Sequence, residues 1–185
     1  QFGTDIAGLG DAVTKLTKVK SSGTDRYVEN MRKMFRARAS DVRVVFIKFA
    51  DRLHNLKTLY AQPKHKQERI ARESLEIYAP IAGRLGMSEF KGEIEDLCFE
   101  YLYPRDFERV RDMITSKVRE KGAYVSRVID QTEKYLLEFN VADAAVHGRV
   151  KRLYSLFKKL GKYEDDLSKV YDLIAIRVVV KDVEE

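Results

Sequence analysis

Apolar residues recur at helical spacing along most of the chain, and the pattern changes near residue 140. Ile6, Leu9, Val13 and Leu16 mark a first helix over Asp5–Val19, and the polar stretch Lys18–Asp25, with its Ser-Ser-Gly, predicts a loop. Tyr27–Tyr60 is helical again, with a break near Ser40 and Asp41. Either residue suits the cap of a helix whose inward side includes Val44, Val45, Ile47, Phe49 and Leu53, and Gln62-Pro63 ends it. Lys66–Pro80 is a further amphipathic helix with Ile70, Leu75 and Ile77 inward. Two glycines interrupt Ile81–Met87. Ser88 then caps a helix with Glu89 and Glu93 near its start, which stops before Pro104. Two helices follow, over Pro104–Lys121 and Ala123–Phe139.

Beyond that point the texture is different. Asn140–Val150 carries small and β-branched residues without a helical period and predicts a strand. Lys151–Lys162 is a basic helix, and Leu173–Lys181 (LIAIRVVVK) is the strongest strand signal in the chain. Two short strands do not make a stable sheet alone, so a domain that begins near residue 140 is expected to be cut off at Glu185. The start Gln-Phe-Gly-Thr-Asp, which has no initiator Met and no signal-peptide character, likewise predicts a piece of a longer protein.

Composition narrows the class without naming a function. A length of 185 residues suits one domain or parts of two, and an apolar share of 44% fits a globular chain. Lys plus Arg number 35 against 29 Asp plus Glu; the resulting +6 suits a phosphate-bearing ligand or RNA without selecting either. Cys98 is the only cysteine, which excludes an internal disulfide and a cysteine-rich zinc site and points to a reducing cytoplasm. No apolar run of about 18 residues exists to span a membrane.

Two groups of residues are candidates for chemistry. Asp51, Asn55 and Thr58, spaced by four and three, share one helical face within Lys48–Thr58 (KFADRLHNLKT). A carboxylate on an apolar helix needs a partner. Either Asp51 pairs with Arg52, Lys48 or a neighbouring helix, or it ligates a metal while Asn55 and Thr58 hold substrate. His54 points away and is a packing or surface histidine. The second group lies in Gly148–Lys159 (GRVKRLYSLFKK). Arg149 and Lys151 project together, and Ser155 and Lys159 share a helical face near a helix start suited to phosphate. A solvated basic helix, or one that contacts RNA, fits the same pattern. Asp172, at the start of the last strand, suits magnesium binding or a plain surface or capping role.

Longer phrases add a resemblance. Lys48–Thr58 is similar to a late motif of the HD-type hydrolase domain of the RelA/SpoT family of (p)ppGpp synthetase/hydrolases. Phe2–Ile6 (FGTDI), Asp11–Leu16 (DAVTKL) and Asn30–Phe35 (NMRKMF) resemble the stretch after that family's central His-Asp pair. Tyr78–Ser88 (YAPIAGRLGMS) and Lys91–Leu102 (KGEIEDLCFEYL) resemble its helical core. Gly148–Lys159 and Val170–Arg177 (VYDLIAIR) resemble the opening of its synthetase domain.

The resemblance implies a mainly α chain in three parts: 1–80, the C-terminal part of an HD-type hydrolase domain; 81–139, linking helices; and 140–185, the start of a truncated α/β nucleotidyltransferase-like synthetase domain. It implies a manganese ion that activates water to remove pyrophosphate from the ribose 3′ position, with Asp51 as one ligand and Asn55 and Thr58 near the nucleotide. It further implies a synthetase that moves the β,γ-pyrophosphate of ATP onto the 3′-hydroxyl of GDP or GTP. There Arg149 would lie on the adenine, Lys151, Ser155 and Lys159 would meet phosphates or base, and Asp172 would bind magnesium. Val150 stands where the family often has proline. The upstream His and His-Asp motifs precede Gln1, and the guanine-binding tyrosine loop and catalytic glutamate fall after Glu185. No catalytic set is complete, neither metal is expected to bind tightly, and the 185 residues alone are expected to catalyse neither reaction. GDP, GTP, ATP and (p)ppGpp are the implied ligands, in a cytoplasmic bacterial stringent-response enzyme. Ribosome or tRNA contact would run only through other regions, and no membrane is implied. The alternative is a basic helical module that binds RNA or protein without catalysis.

Overall fold

Phe49 and Leu56 are seven residues apart, two helical turns, and both are sealed from solvent, which fixes the inward side of the helix that carries them. That helix, α1 (Val42–Lys57), is the first full element in a computed structural model that describes residues 3, 4, 6–10, 42–141 and 143–181. The described chain is mainly helical. It divides into two compact units, Gln1–Leu102 and Tyr103–Glu185. Residues 6–10 are helical, within the first expected helix, and Ile6 there is exposed. The rest of that helix, the expected loop and helix over 18–41 and the cap at Ser40 or Asp41 lie outside the described residues.

In the first unit, α1 is followed by a 3₁₀ turn (Leu59–Ala61), α2 (Lys64–Glu73), a π-turn (Ser74–Tyr78), α3 (Ala79–Arg84) and α4 (Ser88–Leu102). Helix α4 packs against α1, α2 and α3. The core joins Phe49, Leu56 and Leu59 to Ile77, Tyr78, Ile94 and Cys98, with Ile70 and Leu75 packed against its edge. Phe49 meets the rings of Tyr78 and Phe90 edge-on, at 5.7 and 5.4 Å between centroids. Ile47, expected inward, is exposed instead. It sits two residues before Phe49, about 200° around the helix, and so falls on the opposite side.

The helix expected over Lys66–Pro80 is three segments. Pro80 lies in the first turn of α3. It has no N–H, and its ring crowds the carbonyl four residues back. The widened turn immediately before it absorbs that conflict. Helix α3 then closes on Gly86, whose φ of 76° only glycine adopts at no cost. Gly86 donates to the carbonyl of Gly83 at 3.2 Å and Met87 to that of Ala82 at 2.9 Å, the paired bonds of a Schellman ending.

The second unit is built on α5 (Pro104–Glu138), one helix of 35 residues where two were expected. Gly122 sits inside it with open space around its Cα, so it weakens the helix locally without ending it. β1 (Ala145–Val150) and β2 (Ile174–Val179) form an antiparallel pair in which His147 faces Arg177 and Arg149 faces Ala175. Both strands are shorter than expected; Asn140, at φ 62°, belongs to the turn after α5. Between them runs α6 (Leu153–Leu160), which buries Leu156 and Leu160; α5 packs against both α6 and β1.

Candidate functional site

On α1 the inward side is set by Phe49, Leu53 and Leu56, so Asp51 falls on the outer side with Asn55, and Thr58 follows at the helix end; all three are exposed. The carboxylate is therefore not on a buried face, and its side chain is 49% exposed. It accepts a hydrogen bond from Lys48 Nζ at 3.2 Å and another from Asn55 Nδ2 at 3.3 Å. Thr58 Oγ1 donates back to the carbonyl of His54 at 3.1 Å. Of the partners open to Asp51 from the sequence, the structure selects Lys48. Arg52 turns the other way, into the unit, where it meets Glu73, and His54 is a surface residue.

The second group converges more tightly. Lys151, just past β1, Lys159, near the end of α6, and Asp172, just before β2, meet at one point. Lys151 Nζ donates to Oδ2 of Asp172 and Lys159 Nζ to Oδ1, each at 2.6 Å. The ladder positions them: the backbone N–H of Lys151 donates to the carbonyl of Leu173 at 2.8 Å, extending the β1–β2 pairing by one rung. The hydrogen bonds from Lys151 and then Lys159 hold the Asp172 carboxyl down at about 2, against the opposing effect of burial. The reciprocal bond to Asp172 raises the Lys159 ammonium. Ser155 is half-buried on α6, four residues before Lys159 and so on the same side.

Arg149 lies on the strand face turned away from α5. Gly148 defines the other face, since a Cβ there would meet Ile129 and Val125 of α5 at 3.4 and 3.5 Å. Side chains alternate along a strand, so His147 and Arg149 share a face, and Arg177 lies opposite His147 on it. Neither His147 nor Arg177 stands out in the sequence alone. Their two-residue spacing to Arg149 and the register of β2 carry the signal, but register is invisible before strands are paired. A cavity of about 650 Å³ opens beside α5, lined by Val125, Leu173, Ile174 and Ile176 among others. It is mainly apolar, and none of the candidate residues lines it.

Neither carboxylate stands ready for a divalent ion. Asp51 is one donor beside an ammonium, and among the described residues no group of three or more His, Cys, Asp or Glu side chains is placed to hold a metal. Both oxygens of Asp172 are taken by lysines. As they stand these residues do not fit an ion. Among the described residues no helix is long and apolar enough to cross a membrane.

Residues 1–88 match the HD domain family, which points to divalent-metal dependence. Over 181 residues the chain is 39% identical to a Synechocystis protein named probable guanosine-3′,5′-bis(diphosphate) 3′-pyrophosphohydrolase, covering 97% of this chain and 24% of that protein. Over 184 residues it is 42% identical to a Streptomyces coelicolor GTP pyrophosphokinase, covering 100% of this chain and 22% of the relative. A bifunctional (p)ppGpp synthase/hydrolase, SpoT, of Escherichia coli is 38% identical over 182 residues, 98% of this chain and 26% of the relative. The chain thus spans about a quarter of the length of the curated relatives it matches.

Proposed function

The chain belongs to the RelA/SpoT family as a segment of a longer protein's length, and from that premise we propose that it contributes to both (p)ppGpp synthesis and (p)ppGpp hydrolysis. One observation carries the synthetase half: two ammonium groups, from separate elements, converge on a single carboxylate at 2.6 Å each.

Lys151 and Lys159 are the groups that meet the polyphosphate of ATP, with Ser155 beside them and Arg149 on the adenine. The parent enzyme forms a bond between the 3′-oxygen of GDP or GTP and the β-phosphorus of ATP. The bond from that phosphorus to the α-phosphate bridging oxygen breaks, AMP leaves, and the hydroxyl proton is lost. Such a reaction needs negative charge neutralised and reactants held in line more than it needs covalent help. Asp172 keeps both ammonium groups oriented until phosphates compete for them. In the hydrolase half, Asp51, Asn55 and Thr58 form the part of the (p)ppGpp site that this segment supplies.

The family resemblance, and not the arrangement of these side chains, supports manganese for hydrolysis and magnesium for transfer, and it supports residues 1–80, 81–139 and 140–185 as hydrolase, linking and synthetase parts. A cytoplasmic setting rests on the lone Cys98.

The test is pyrophosphoryl transfer by the full-length parent protein with radiolabelled ATP and GDP. Lys151→Met and Lys159→Met are each expected to raise the KM for ATP by about tenfold or more, the scale of one charge-assisted phosphate contact. Wild-type kinetics in both variants would sink the reading, and retained RNA binding with no transfer in the parent would favour a binding module.

A further inference from the structure

Asp51 and Arg52 are consecutive, yet they point to opposite sides of the first unit's wall. Arg52 is 14% exposed and lodges against one short stretch of chain. Its Nη2 donates to Glu73 Oε1 at 2.6 Å and to the Tyr78 hydroxyl at 3.1 Å, and its Nη1 reaches Ser74 Oγ at 3.5 Å. The guanidinium carbon also stands 4.2 Å from the centroid of the Tyr78 ring. Ser74 and Tyr78 are fully buried, and the Ser74 hydroxyl donates a hydrogen bond to the carbonyl of Ile70 at 2.6 Å.

These three partners lie on one side only because the chain between them is a π-turn. In an α-helix, residues four apart share a face and residues five apart do not. A π-turn closes over five residues, so Glu73 comes round nearly beneath Tyr78 while Ser74 stays beside both. The extra residue in the turn is what lets one arginine meet all three.

We infer that the π-turn Ser74–Tyr78 is a positioning element for the outer face of α1: through Arg52 it fixes the rotation of that helix, and with it the direction in which Asp51, Asn55 and Thr58 present their polar groups. The inference rests on the reading of that face as part of the hydrolase site. Its physical basis is the difference between directional and non-directional contacts. The apolar contacts of Phe49, Leu56 and Leu59 set which side of α1 faces the core, and the hydrogen bonds of Arg52 add a directional constraint to that packing. Arg52 resists further rotation, since a turn of the helix would cost its partly buried guanidinium the hydrogen bonds to Glu73, Ser74 and Tyr78. Asp51 itself is held from its own helix, by Lys48 and Asn55.

The test uses the full-length parent with Arg52→Lys, Ser74→Ala and Tyr78→Phe, the last two removing single hydroxyls with little change in packing. Release of pyrophosphate from ppGpp is followed well below the Tm of each variant. The expected result is a fall in kcat, with KM within about twofold, of roughly tenfold to a hundredfold for Arg52→Lys and less for the hydroxyl deletions. A merely structural network would lower Tm and leave the kinetics of the folded enzyme alone. Unchanged kcat, or a change in KM only, in all three variants overturns the inference. Asp51→Asn separates the two readings. If it retains hydrolysis, the assignment of the face fails and this inference with it; if it abolishes hydrolysis while the other variants behave as wild type, only the inference fails.

Discussion

Lys151 and Asp172 stand 21 residues apart in the chain and 2.6 Å apart in space, and the β1–β2 ladder brings them together. Lys159 takes the other carboxylate oxygen. The clasp makes a specific pH signature. Asp172 is held at about 2 against its ordinary 3.8, a depressed value, so the contact's contribution is present above about pH 4 and lost as the pH falls towards 2. Lys159 is raised above its ordinary 10.5, so the same contact contributes below that value and fades as the pH climbs past it. A carboxyl-carbon NMR titration of Asp172 should give a midpoint near the depressed value in the wild type and a return towards the ordinary one in Lys151→Met. A wild-type midpoint at the ordinary value would show that the clasp does not form in solution.

Gly148 carries a second prediction. A methyl group there meets Ile129 and Val125 at 3.4 and 3.5 Å, ordinary contact distances, so Gly148→Ala should change stability by less than about 1 kcal/mol. Larger branches would press on those two side chains, and Gly148→Val should destabilise by about 1–3 kcal/mol through overpacking against α5. Denaturant unfolding of the two variants gives the comparison; equal midpoints would mean that β1 does not lie on α5 at this residue.

In the first unit the same logic runs through Leu56, which is fully buried beside Phe49 and Leu59. Leu56→Ala should cost about 2–5 kcal/mol. Cys98 reports it locally. Burial, opposed in part by the Arg52 charge, pushes that thiol up to about 12, so at neutral pH it is buried and almost wholly protonated. A thiol reagent should react slowly with the wild type and markedly faster with Leu56→Ala; equal rates would place Cys98 outside the cooperative core.

Some of this architecture is legible in the sequence, and some is not, for identifiable reasons. Hydrophobic spacing marks α1, which buries one side and exposes the other, and the apolar run Leu173–Val180 marks β2. That Asp51, Asn55 and Thr58 share one face follows from counting along a helix. What local pattern does not contain is how far an element is covered by others. Asp51 reads as buried because its neighbours are apolar, yet Phe49 and Leu56 take the inner side and leave it outside. The clasp of Lys151, Lys159 and Asp172 was visible only as three separate candidates, since strand register and the return of α6 set their meeting. The π-turn has no sequence mark of its own beyond Pro80 following it.

Gly122 shows how a local signal misleads and how to test the correction. Glycine costs about 1 kcal/mol in a helix interior relative to alanine, enough to suggest a boundary but far too little to force one when both flanks favour helix. Here α5 continues through it, from Pro104 to Glu138, and an added Cβ meets nothing within 4 Å. Gly122→Ala therefore removes backbone freedom from the unfolded chain without a clash in the folded one. The expected outcome is a gain of about 0.5–1 kcal/mol in denaturant unfolding. A loss of stability would mean that the chain bends at Gly122 in solution, because an L-residue resists only a conformation that a continuous α-helix does not use.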